Sequence, residues 1–207
     1  MYIHIPKCGG GSIEQFFKKN NFHLYLWSTR DFKFPECPEQ YKNRCSPQHM
    51  HASLLEEILN MNSFDYIFTV VRNPVDRIIS EYKWSIRHDS AQYGFDRWYE
   101  EARKNFHSNN FYFDNHMRPM NEFITKECEV FRFEDKCFDK LPALIDQKLK
   151  LKGITYAWKT NEILNQKKDL KARRLKKYAE LKERYENSLP SKNTLCKIID
   201  DYKTDMV

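Results

Sequence analysis

The opening stretch Met1–Phe17, MYIHIPKCGGGSIEQFF, constrains the fold more than any other part of the chain. Tyr2, Ile3, His4 and Ile5 predict a short buried strand. Pro6 ends it, because proline cannot continue a central ladder. Gly9, Gly10 and Gly11 supply backbone without a Cβ, suited to positive φ and to close approach of an anion. Ser12 is placed to cap a helix that continues through Glu14, Gln15, Phe16 and Phe17. A strand that feeds a glycine turn and a helix N-terminus is an anion-binding device, since unpaired N–H groups and the helix dipole both favour negative charge. Lys7 adds a cation at its mouth. An ordinary strand-to-helix turn uses the same residue types, but residue order narrows the choice. A nucleoside-triphosphatase loop carries its lysine after the glycines. Here Lys7 precedes them and Ser12 directly follows Gly11, so the cradle is of a different make.

A second stretch repeats the arrangement. In FDYIFTVVRNPVDRIISEYKW, the apolar run Tyr66–Val71 predicts a parallel strand buried on both faces. Asn73-Pro74 makes the turn, with Pro74 suited to the first position of the next helix. Arg72, Arg77 and Ser80 stay polar at the strand's C-terminal end and in the first turns of that helix, where α/β sheets bind ligands. Two such sites in one small chain imply one ligand with two separated phosphates.

The remaining segments complete an alternating pattern. Phe22–Leu26 predicts a second strand and Ser28–Pro47, with three prolines, a long surface loop. Ser46 and Pro47 open a helix through Leu54, Leu55, Ile58 and Leu59. His49 and His51 lie just ahead of it, two apart, on one face of extended backbone. Further helices are expected over Gln92–His107, after Glu134-Asp135, and through Leu195, Ile198, Ile199 and Tyr202. Glu129–Phe133 reads as a strand and Phe111–Phe123 as a polar loop with His116 and Arg118. The Lys/Arg-rich stretch Gln166–Glu186 reads as a helix with a solvated basic face, or else a face for polyanions. No internal repeat or linker divides the chain, so residues 1–207 read as a single domain.

Composition agrees. The 207 residues are 41% hydrophobic and 15% aromatic, which excludes a disordered chain. The net charge of +6 fits a polyanionic ligand without requiring nucleic acid, and none is expected. No apolar run approaches the roughly 18–20 residues that span a bilayer, and no signal peptide is legible. Six cysteines occur without a C-x-x-C pair, which argues against zinc, and no metal is expected. Cys37 with Cys45, or Cys128 with Cys137, suit local disulfides in an oxidising compartment and equally thiols in a reducing one.

Together the motifs resemble sulfotransferases that use 3′-phosphoadenosine 5′-phosphosulfate. HIPKCGGGS looks like their 5′-phosphosulfate loop, which implies donor contacts from Lys7, Cys8, Gly9, Gly10, Gly11 and Ser12. VRNPVDRIISEY looks like their 3′-phosphate motif, which implies that Arg72 and Ser80, eight residues apart, hold the 3′-phosphate. DNHMRPMNEFI resembles the H-x-RPQ segment of carbohydrate sulfotransferases, with Met120 where glutamine is usual. Gly11 likewise stands where threonine is common. QHMHASLLEEI is similar to the H-x-H segment of uronyl 2-O-sulfotransferases, which implies that His51 is the general base and that His49 lies in the acceptor site with His116 and Arg118. The resemblance implies an α/β fold, a P-loop-like three-layer sandwich with a central parallel sheet flanked by helices. It also implies a glycan or polysaccharide acceptor and catalysis by His51 and Lys7. The shortness of the chain suggests a cytoplasmic protein, or a Golgi-lumen one if the sequence is a trimmed catalytic domain. Rival readings are a nucleotide kinase or NTPase, and a non-catalytic polyanion-binding module.

Overall fold

The computed structural model describes residues 1–24, 26, 44–88, 91–163, 179, 183 and 188–205. Among these, β1 (Tyr2–Ile3), β2 (Phe68–Val71) and β3 (Glu129–Arg132) form one sheet in the order β1-β2-β3. Both pairings are parallel, with Tyr2 opposite Phe68 and Thr69 opposite Val130. The helices are α1 (Gly10–Lys19), α2 (Ala52–Ile58), α3 (Pro74–Arg87), α4 (Phe95–Ser108), α5 (Cys137–Leu151) and α6 (Lys192–Asp201). The protein is therefore an α/β chain built on a parallel sheet, as its sequence predicts. No helix among the described residues is long and apolar enough to cross a membrane.

The chain divides into two compact units. The first comprises Met1–Arg72 and Met120–Gln166 and holds the sheet. Its central strand β2 buries Phe68, Thr69 and Val70, as a parallel strand covered on both faces must. Ile13 and Phe16 of α1 and Leu141 and Ile145 of α5 pack with Phe68 and Val70 into one core. The Thr69 hydroxyl donates to the Ile3 carbonyl at 2.8 Å and so ties β2 to β1 with a side chain as well as the ladder.

The second unit comprises Asn73–Pro119 and Lys167–Val207. Its first helix starts as expected: the Asn73 side chain accepts from the N–H groups of Val75 and Asp76 at 3.0 and 3.2 Å, and Pro74 occupies the first turn. Ile78, Tyr82 and Ile86 of α3 pack with Phe95, Trp98 and Tyr99 of α4 and with Ile198 and Tyr202. Ser191 caps α6 by accepting from the Thr194 N–H at 3.3 Å.

Several expectations are corrected. Phe22, His23, Leu24 and Leu26 are not in a strand. Phe22 is instead drawn into an aromatic cluster, 4.5 Å from Tyr156 and 5.7 Å from Trp158 between ring centroids. Ser46 and Pro47 open a 3-10 turn over Pro47–His49, and α2 begins only at Ala52. Glu134 and Asp135 form another 3-10 turn and do not cap α5, whose N-cap is Lys136 in the left-handed region. Ile199 is 41% exposed, and the buried side of that end of the chain is carried by Thr194, Ile198 and Tyr202. Cys128 and Cys137, for which disulfide and thiol were both left open, are separate thiols. Cys37, nearly all of the Ser28–Pro47 loop and, but for Ala179 and Glu183, the basic stretch lie outside the described residues.

Candidate functional site

In the first unit the glycine turn joins β1 to α1, and two left-handed residues shape it. Lys7 has φ of 68° and Gly9 of 88°. Gly9 rather than Ser12 is the N-cap of α1. Its carbonyl accepts from the Ser12 N–H at 3.0 Å, which closes the first turn and leaves Ser12 inside the helix. The Cys8 N–H donates to the Ile5 carbonyl at 3.3 Å. Cys8 and Ser12 thus direct their N–H groups to carbonyls of the turn itself. Among the described residues nothing accepts from the N–H groups of Gly9, Gly10 and Gly11, as befits the orphan donors of a helix start. Ser12 is 8% exposed.

Two of the glycines are demanded by neighbours. A Cβ on Gly9 would lie 2.4 Å from the Phe138 ring, and one on Gly10 would lie 2.1 Å from His4 Nε2. Gly9→Ala is expected to destabilise the protein by about 1–2 kcal/mol from the left-handed backbone alone, with the Phe138 clash adding to it. Urea unfolding measures this, and a variant as stable as the parent would refute the account.

Arg72, at the end of β2, meets this turn. Its Nη1 donates to the Lys7 carbonyl at 3.3 Å, and its guanidinium lies 4.9 Å from the centroid of the Phe133 ring. Phe133 in turn meets Phe138 edge-on at 5.4 Å. Phe133 and Phe138 thus form an aromatic floor running from Gly9 to Arg72. Arg72 Nε is buried and has no hydrogen-bond partner among the described residues, an expensive state unless a ligand supplies an acceptor. Met120, where the resemblance leads one to expect glutamine, is 1% exposed. Its thioether accepts from the Arg72 N–H at 3.5 Å and lies 3.6 Å from Cys8 Sγ. Soft sulfur contacts therefore stand where an amide would make hydrogen bonds. Cys8 itself is wholly buried.

The histidine pair belongs to the same unit. His49 ends the 3-10 turn, 6% exposed, with Nδ1 3.1 Å from the Ser46 hydroxyl. His51 is 7% exposed and stands at the N-cap of α2, where its carbonyl accepts from the Leu55 N–H at 3.1 Å. Sequence reasoning missed a third histidine. His4 Nδ1 lies 2.6 Å from a Glu14 carboxylate oxygen, and its ring meets that of His49 edge-on at 5.0 Å. Beside it, burial pushes the Tyr2 phenol well up, so Tyr2 stays neutral.

Ser80, His116 and Arg118 lie in the second unit. Ser80 is half-buried on α3. His116 Nδ1 lies 2.6 Å from a carboxylate oxygen of Glu81, which is fully buried. Arg77, expected as a polar ligand-side group in the first turns of α3, is instead fully buried and donates to the His116 carbonyl at 2.9 Å. Arg118 donates to the Asn115 side chain at 3.0 Å and to the Asn110 carbonyl at 2.9 Å. It thereby braces a turn in which Phe113, Asp114 and Asn115 are all left-handed. Glu81 had no signal in the sequence beyond being an acidic residue on the apolar side of a helix.

The family model described as the sulfotransferase family matches residues 1–207. No curated protein and no solved structure matches the chain. A glycine turn with three open N–H donors, an arginine at the end of the adjoining strand and a family match over the whole length lead to one assignment. The chain belongs to the sulfotransferase family.

Proposed function

We propose that the protein moves a sulfuryl group from 3′-phosphoadenosine 5′-phosphosulfate to a hydroxyl of a carbohydrate acceptor. The observation that carries this reading is the contact between Arg72 Nη1 and the Lys7 carbonyl, at the ends of adjacent parallel strands. That contact puts a guanidinium with an unsatisfied buried Nε next to a loop of unsatisfied N–H donors. One ligand with two separated anionic groups answers both needs.

In this reading Lys7 and the glycine N–H groups meet the charge that grows on the bridging oxygen as it leaves sulfur. His51 takes the proton of the acceptor hydroxyl as its oxygen bonds to sulfur in line. Arg72 grips the 3′-phosphate and fixes the donor's direction. The products are a sulfate ester and adenosine 3′,5′-bisphosphate, and the proton rests on His51. Positioning and charge stabilisation supply most of the acceleration, as in phosphoryl transfer. The compartment proposed is the cytoplasm, a reducing one in which Cys128 and Cys137 persist as thiols.

The test is a melting curve with adenosine 3′,5′-bisphosphate. At a hundredfold excess over Kd the ligand adds about 2.7 kcal/mol, which for a chain of this size raises Tm by about 5–10 °C. Labelled donor presented with a panel of glycans then identifies the acceptor. An unchanged Tm at millimolar ligand would end the proposal.

A further inference from the structure

We propose that Arg118 and Glu81 are positioning residues that preset the imidazole of His116, and that Arg118 itself does not meet the acceptor; the inference rests on the reading above and deepens it, with His116 in the acceptor site. The observation behind it is a costly stretch of backbone in the second unit. Phe113, Asp114 and Asn115 have φ of 56°, 57° and 63°, so three residues in a row are left-handed. Single asparagines and aspartates visit this region, but a run of three that includes a phenylalanine persists only where its surroundings hold it there. Backbone held in this way collects at functional positions. The residue that directly follows the run is His116.

The groups that hold it can be named. Arg118 is 4% exposed and spans the turn: Nε donates to Asn115 Oδ1 at 3.0 Å and Nη2 to the Asn110 carbonyl at 2.9 Å. The His116 N–H donates to the Phe113 carbonyl at 3.0 Å, and the Arg118 N–H to the Asn115 carbonyl at 3.2 Å. Arg77 Nη2 donates to the His116 carbonyl at 2.9 Å, and the Tyr202 hydroxyl to the Met117 carbonyl at 2.6 Å. Glu81 fixes the ring itself through the 2.6 Å bond between its Oε2 and His116 Nδ1. Arg77 and Glu81 both lie on α3, the helix that carries Ser80. A buried guanidinium that bonds both ends of one turn sets the shape of that turn. The carboxylate then sets the direction of the ring that the turn delivers. Precision of this kind matters at a reacting hydroxyl, where a shift of about 1 Å costs about 10²-fold in rate.

The experiment first reads the proton of the bond between His116 Nδ1 and Glu81 by NMR of the ligand-free protein, with the downfield resonance assigned by its loss in H116A. R118A is expected to lose or shift this resonance and to speed exchange of the Asn115, His116 and Arg118 amides by roughly tenfold or more. E81Q is expected to shift the resonance while those amides stay protected. Affinity for adenosine 3′,5′-bisphosphate stays that of the parent in both. Turnover is then measured with labelled donor and a non-sulfated uronic-acid polysaccharide. Its kcat/KM is expected to fall by about 10–100-fold in R118A. R118A/H116A is no worse than H116A alone, because no imidazole remains to be positioned. An Arg118 that grips the acceptor predicts the opposite: an unchanged resonance in R118A and a further loss in the double variant. Either result overturns the inference. Should R118A not fold, R118K replaces it, since lysine keeps the charge and the stem without the fork. A resonance lost in R118K supports the inference, and one retained overturns it. A parent that transfers to neither this polysaccharide nor any other glycan overturns the carbohydrate reading, while the resonance still decides how His116 is held.

Discussion

His51→Ala is expected to abolish turnover, with kcat falling by about 10²–10⁴-fold, while the affinity for adenosine 3′,5′-bisphosphate stays near that of the parent. The two readouts separate because of where His51 sits. Its backbone holds α2 in place through the carbonyl that accepts from Leu55 N–H, and its side chain makes no capping bond. Alanine keeps the carbonyl and so keeps the helix. The donor loop and Arg72 are held by other contacts: the Lys7 carbonyl, the Met120 thioether and the Phe133 ring. In the proposed reading, losing the imidazole at the start of α2 removes the proton acceptor while these contacts of the loop and Arg72 remain. Initial-rate kinetics beside calorimetry decide the matter. A parallel loss of nucleotide binding would make His51 structural, and near-normal kcat would move the base elsewhere.

The parts of this fold legible in the sequence are those fixed by local chemistry. Asn73-Pro74 reads as a helix start because an Asx side chain and a proline satisfy or remove the orphan donors whatever surrounds them. The run ending at Val71 reads as a buried parallel strand because a short run of apolar, β-branched residues suits a strand covered on both faces. Ser12 shows where local rules fail. Serine is a good cap, but Gly9 adopts a left-handed conformation open to few other residues and starts the helix earlier. Lys7 shares that handedness with no residue type to announce it.

Contacts that span the chain were not legible. Phe22 looks like strand because of its propensity, yet partners more than a hundred residues away claim it for an aromatic cluster. The floor of Phe133 and Phe138 beneath Gly9 and Arg72 requires β3 to pair with β2 before either ring arrives there. Glu14 reads as an ordinary exposed helix residue until the turn brings His4 against it. The glycine turn was thus readable from the sequence, whereas the contacts that hold it became visible only in three dimensions.

Arg72→Ala is expected to weaken adenosine 3′,5′-bisphosphate by about 10- to 100-fold and adenosine 5′-phosphate far less, since a charge-assisted hydrogen bond contributes about 1.5–3 kcal/mol. The asymmetry follows from the division of labour at the site. In the proposed reading, three glycine N–H groups and Lys7 serve the 5′ end, and Arg72 serves the 3′ end from the neighbouring strand. Alanine also forfeits the Arg72 bond to the Lys7 carbonyl and the contact with Phe133, so some loosening of the loop affects both ligands. That shared loss is what the 5′-phosphate measures, and the difference between the two nucleotides is what the guanidinium contributes to the 3′-phosphate. Arg72→Lys sharpens the reading. Lysine keeps the charge but lacks the fork that reaches the Lys7 carbonyl through Nη1 while offering Nε to a ligand. It should recover part of the affinity and little of the geometry, leaving kcat depressed even at saturating donor. If both nucleotides lose affinity equally in Arg72→Ala, the guanidinium supports the loop and some other cation reads the 3′-phosphate.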